Sequence, residues 1–132
     1  MDYSKIIFEP LSPDLFSDVA QAMAKDLMAG PDKNSDKNKS TQLRRFYNEL
    51  VLWHDKIYAE RGDMREAKYK EFAPYIKMLN AKVAYAKARK HVDANFEGMF
   101  THCIRQINDA TSLKRCKLFM EAFIGFYKAQ EN

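Results

Sequence analysis

The amino-acid sequence predicts an all-α fold, a compact bundle of about five helices. Three observations carry that expectation. Large apolar residues recur at i, i+3, i+4 and i+7 in five stretches, the spacing that places them on one face of a helix. The chain has only four glycines and four prolines in 132 residues, too few turn formers for a sandwich or barrel of short strands. No stretch alternates apolar and polar residues convincingly, with Lys5–Phe8 the nearest to an exception. At 46% hydrophobic and 30% charged, the composition is that of a soluble globular protein, and the length suits one domain, residues 1–132, around a modest core.

Taken in order, the first helix opens at Ser12-Pro13-Asp14, where a hydroxyl, a proline at the first helical position and an early acid favour a start. Its stripe is Leu15, Phe16, Val19, Met23 and Leu27, and Gly30-Pro31 ends it. The run PDKNSDKNK, residues 31–39, has no apolar residue and is expected to be an exposed, flexible loop. The second helix begins near Ser40 or Thr41, buries Leu43, Phe46, Tyr47, Leu50, His54, Ile57 and Tyr58, and turns Arg44, Arg45, Asn48, Asp55 and Lys56 outward. Arg61-Gly62-Asp63 is its stop. The third segment starts near Met64 and meets Pro74, which lacks the N–H a helix interior needs. A break there is expected, with a short helix before Pro74 and a longer one to about Lys90; a single kinked helix is the alternative. The longer part buries Ile76, Leu79, Val83 and Ala86. The fourth helix, about Ala94 to Asn108, carries Phe96, Met99, Phe100, Cys103, Ile104 and Ile107; the fifth, about Ser112 to Ala129, carries Leu113, Cys116, Met120, Phe123 and Tyr127. The short connection between them predicts an antiparallel hairpin.

Several function classes find no support. There is no Gly-rich phosphate loop, no GxSxG and no HExxH, so no catalytic motif and no metal or other cofactor is expected. His54 lies on an apolar stripe and is expected to be a hydrogen-bonded core residue. His102 and Cys103 are consecutive on a helix and point about 100° apart, which is not a ligand pair. Two core thiols without a secretory signal fit a reducing cytoplasm, and no apolar run reaches the 18 or so residues of a membrane span. A helix-turn-helix DNA reader needs a tight turn before a polar recognition helix, and none is evident. Most of the nine Phe and seven Tyr fall at core spacing and are read as packing; Trp53 lies off the centre of its stripe and is a candidate for an interface with a neighbouring subunit.

Charge is the informative feature. The net charge of +4 conceals a skew: residues 40–91 hold twelve Lys/Arg against six Asp/Glu, whereas residues 1–39 hold five against seven and residues 92–132 are balanced. Two clusters account for the excess. Lys39, Arg44 and Arg45 stand at the start of the second helix, where free N–H groups and the positive dipole end also suit phosphate. Lys82, Lys87, Arg89 and Lys90, with Tyr85 among them, stand on the later helix, with Lys82 and Arg89 seven residues apart and hence close to one face. A solvated helix surface is the ordinary fate of such residues; a nucleic-acid contact is the functional alternative.

At these same clusters the sequence resembles the small subunit of type III-A CRISPR effector (Csm) complexes. The run STQLRRFYNEL, residues 40–50, resembles that family's opening Thr-Ser-Gln-Ile-Arg-like motif, and LNAKVAYAKARK, residues 79–90, resembles its second motif. Phe96 and Phe100 follow on the helix where the family places a phenylalanine, and LFMEAFIGFYKAQ, residues 118–130, resembles its aromatic closing helix. The likeness runs from about residue 38 to 130, and the first 35 residues stand outside it. It implies a non-catalytic helical protein that stacks in several copies beside the crRNA-binding backbone subunits and helps hold the crRNA–target RNA duplex, with cleavage left to the backbone and large subunits. Arg44 matches the arginine of the first motif, and Lys82, Tyr85 and Arg89 match the second; Lys39, Arg45, Lys87 and Lys90 join them on charge placement alone. A protein-only assembly adaptor, its basic face set against acidic protein, is the rival expectation.

Overall fold

Each apolar stripe read from the sequence is a helix in the computed structural model, which describes residues 1–131. A single π turn, Leu15–Val19, leads into α1 (Ala20–Met28). The chain continues through α2 (Ser40–Tyr58), a 3-10 turn at Gly62–Met64, α3 (Arg65–Lys77), α4 (Leu79–Ala88), α5 (Ala94–Arg105) and α6 (Ala110–Ala129). None of the described helices is long and apolar enough to cross a membrane.

The last helix is the centre of the bundle. It buries Leu113, Cys116, Phe119, Met120, Phe123, Ile124 and Tyr127, and lies between α1 and α2, while α5 lies along α4. Pairings in reverse order show the directions. Tyr47 meets Glu121 and the Tyr58 hydroxyl meets the Ala110 carbonyl, so α2 runs antiparallel to α6. Phe96 packs near Phe123 and the Cys103 thiol meets that of Cys116, so α5 and α6 form the expected antiparallel hairpin. Both thiols are fully buried and free, and burial pushes that of Cys103 well up. The rings of Phe46, Phe96, Phe100, Phe119, Phe123 and Tyr127 follow one another at centroid distances of 5.1 to 6.5 Å, an aromatic seam tying α2, α5 and α6.

Three departures from the expected layout have physical causes. The helix expected to break at Pro74 runs through it and breaks at Met78. Pro74 and Lys70 are exposed, so the carbonyl that loses its donor is on the solvent side, where water can satisfy it. The final helix starts at Ala110, not Ser112: Asp109 is the cap, accepting from the Ser112 N–H at 2.7 Å, while the Ser112 hydroxyl accepts from the Asp109 N–H at 3.1 Å. Lys5–Phe8 is not a strand, yet its alternation is real, since Ile6 and Phe8 are buried and Ile7 is exposed. Gln106 takes the place of a neighbouring strand: its amide donates to the Ile6 carbonyl at 2.7 Å and accepts from the Phe8 N–H at 3.1 Å. His102 Nε2 also meets the Ile6 carbonyl, and Arg115 donates to the Phe8 carbonyl.

His54 is half-buried rather than core; it bonds Asp55 at 2.9 Å and stacks on Tyr58. Trp53 packs against Phe72 and stacks under Tyr75 at 5.5 Å, so it is part of the α2–α3 contact with an exposed tyrosine above it.

Loop residues 31–37 are mostly exposed, but Asn38 is buried, and it fastens the start of α2 to the rest. Its carbonyl accepts from the Tyr127 hydroxyl at 2.7 Å. Burial raises that phenol to about 12 from an ordinary 10.0. The unfolded chain therefore releases this proton first, so the stabilising contribution is whole below pH 10 and is lost as the pH climbs from about 10 to about 12. Tyr127→Phe is expected to lower stability at neutral pH by about 1–3 kcal/mol, because a buried carbonyl loses its donor, and to flatten the alkaline decline. Urea unfolding followed by circular dichroism at neutral and alkaline pH checks both.

Candidate nucleic-acid interface

Lys82 and Tyr85 on α4 and Arg89, the residue that caps its C-terminus, stand at i, i+3 and i+7 and share one face. On α2, Gln42, Arg45 and Glu49 form the matching row. The two rows face each other across an open groove of about 250 Å³, lined by Gln42, Arg45, Phe46 and Glu49 from α2, by Lys82, Tyr85 and Ala86 from α4, and by His91 just beyond it. Lys82 bridges the groove to Glu49 at 2.9 Å. Arg89 donates to the Tyr85 hydroxyl at 3.2 Å, which ties its guanidinium to the tyrosine that forms this wall.

Two residues in the left-handed region set this geometry, Asn38 (φ 61°) and Lys90 (φ 64°). The Asn38 N–H donates to the His91 carbonyl at 2.9 Å, and its side-chain oxygen accepts from the Asp93 N–H at 3.0 Å. The residue two places before α2 is thereby bonded to the link that follows α4. Lys90 closes α4: the His91 N–H reaches back to Ala86 and the Lys90 N–H to Lys87, both at 2.9 Å, the bond pattern in which glycine usually holds this position. A lysine here carries a backbone cost of about 1–2 kcal/mol.

The cations are available to a ligand. Arg44, Arg45, Lys82, Lys87, Arg89 and Lys90 are all exposed. The Lys82–Glu49 pair leaves the two side chains 45% and 31% exposed. Ion pairs so exposed contribute at most about 1 kcal/mol, so a phosphate can take the lysine at little cost. Among the described residues, Arg45, Arg89 and Lys90 have no acidic partner within ion-pair distance.

The structure does not gather every residue that the sequence singles out. Arg44 points a third of a turn away from Arg45 and lies over the Tyr47 ring at 5.8 Å, toward α6. Lys87 is on the far face of α4, 3.5 Å from Glu97 of α5. Lys39 belongs to a neighbouring cavity of about 550 Å³ whose walls include Lys33, Lys37 and Lys128. The sequence reading missed Gln42 and Glu49 as groove walls. Their i and i+7 spacing about Arg45 is visible in the sequence, but only the packing of α4 shows that this face looks across a groove.

A family model described as Csm2 Type III-A matches residues 13–132. The match therefore takes in α1 and the turn before it, which the motif likeness had left out. No curated protein and no solved structure matches.

The strain at Lys90 has a measurable consequence. Lys90→Gly is expected to stabilise the fold by about 1 kcal/mol by relieving the left-handed backbone. Thermal unfolding reads it as a higher Tm; an unchanged Tm would show that the backbone there is relaxed.

Proposed function

The chain belongs to the Csm2 type III-A family, the small subunit of the Csm effector complex, and from that membership we propose that it is a non-catalytic subunit which binds RNA independently of sequence. One observation carries the proposal: Arg45 and Lys82 line one open groove, Arg89 is bonded to the Tyr85 hydroxyl in its wall, and none of the three is held in a buried ion pair. A subunit that must accept any guide or target has to grip phosphates and sugars, which carry no sequence information. Guanidinium groups suit that task through their planar fork. Arg44, matched by the family's first motif, and Lys39 extend the basic surface beyond the groove on either side of the start of α2. Several copies stacked along one crRNA–target duplex raise a weak single-site affinity through effective concentration.

A second role is supported by a set of exposed apolar side chains. Leu52, Tyr75 and Met78 are 46%, 53% and 51% exposed, with the half-buried Trp53 under Tyr75. Exposed apolar side chains of this kind suit contact with neighbouring subunits or copies in the complex. Were this the whole function, the protein would shift no RNA even at low salt.

Arg45→Ala and Arg89→Ala are each expected to weaken RNA binding several-fold without loss of helicity. Arg44→Ala is expected to act in the same direction, and Lys87→Ala, on the far face, to have the smallest effect. With four phosphate contacts on a single strand, log affinity should fall against log salt with a slope near −3, and each lost contact should make it shallower by about 0.7. Fluorescence anisotropy over a salt series measures both quantities. Unchanged affinity in both the Arg45 and Arg89 variants would refute the assignment.

A further inference from the structure

The groove has features that a phosphate cradle does not require. Its floor is apolar: Phe46 and Ala86 are 7% and 8% exposed, continuous with the core. Its wall is aromatic. Tyr85 is 64% exposed, the highest value among the exposed large hydrophobic side chains, and it is oriented rather than loose, because Arg89 holds its hydroxyl at 3.2 Å. The guanidinium carbon lies over the ring, 5.8 Å from its centroid, so Arg89 takes one face of Tyr85 and a base would stack on the other. The opposite wall offers hydrogen-bonding edges: the Gln42 amide, and Glu49, whose Oε1 is held by Lys82. At about 250 Å³ the space falls below the 300–1,000 Å³ of pockets for drug-sized ligands and suits one planar ring system.

We infer that this groove seats a single unstacked RNA base, with its ring against Tyr85 above Phe46 and Ala86 and its flanking phosphates on Arg45 and Lys82. The inference rests on the RNA-binding reading above and goes beyond it by naming what the apolar part of the groove is for. Charge favours this occupant, since the cations stand on the rim and the apolar surface lies below them. A stacked base is buried inside an A-form duplex and cannot enter, so the groove selects nucleotides that are single-stranded or turned out of a helix. An aromatic wall accepts any base by its face, which keeps the contact sequence-tolerant.

The test compares the full chain's affinity, by anisotropy at low salt, for a short single-stranded RNA of mixed sequence and for an abasic ribose-phosphate oligomer of equal length and charge. The expected result is about five- to tenfold tighter binding of the base-bearing strand, the lower end of what base–aromatic stacking supplies. Tyr85→Ala should abolish that ratio and Tyr85→Phe should keep most of it, whereas Arg45→Ala should weaken both ligands and leave the ratio standing. Equal binding of the two oligomers by the wild-type protein would overturn the base site while leaving phosphate binding intact. A ratio that survives Tyr85→Ala would overturn it as placed here. Failure to bind either oligomer would overturn the base site and the RNA-binding reading together.

Discussion

The geometry of the basic groove depends on one asparagine. Asn38 uses its N–H, its side-chain oxygen and its carbonyl to join the entry of α2 to the exit of α4 and to Tyr127 of α6. Without these bonds, α2 and α4 would be positioned by apolar contacts, which are non-directional and tolerate sliding, and by the exposed Lys82–Glu49 pair. A hydrogen bond does not, because its strength falls steeply with misalignment. The left-handed backbone that this residue adopts is among the few that asparagine accepts more readily than other non-glycine residues. Two rows of side chains more than thirty residues apart in sequence are thereby held across a single groove.

The helices and their buried faces were legible because 3.6-residue periodicity is a local signal. Val83, Phe96, Cys103, Leu113 and Phe123 are all fully buried where the pattern puts them. What was not legible depends on partners distant in sequence. Asn38 sits in a run of nine residues with no apolar side chain, and only its long-range bonds explain its burial. The Ile6–Phe8 segment has the alternation of a strand and is satisfied by a glutamine a hundred residues later. Met78, not Pro74, interrupts the α3–α4 pair because the proline's lost bond falls on the wet side, a fact about surroundings that propensity cannot contain.

The same division applies to the groove. The clustering of positive charge and the shared face of Lys82, Tyr85 and Arg89 follow from the sequence. The inward turn of Arg45 and outward turn of Lys87 do not, since each depends on which helix packs alongside. Nor does the pairing of Lys82 with Glu49, which offsets part of the groove's charge while it is empty. An acid placed beside a cation in this way tempers non-specific attraction at long range and gives way when a phosphate approaches closely.

The strap formed by Ile6 to Phe8 bears on how the chain folds. Its partners Gln106 and Arg115 lie 98 and 107 residues downstream of Phe8. The two apolar side chains of this segment, Ile6 and Phe8, are therefore covered only once residues far downstream are in place. Native contacts of such long separation are slow to form. In the folded protein Phe8 lies against Phe119, ring centroids 6.4 Å apart, so the strap covers that part of α6.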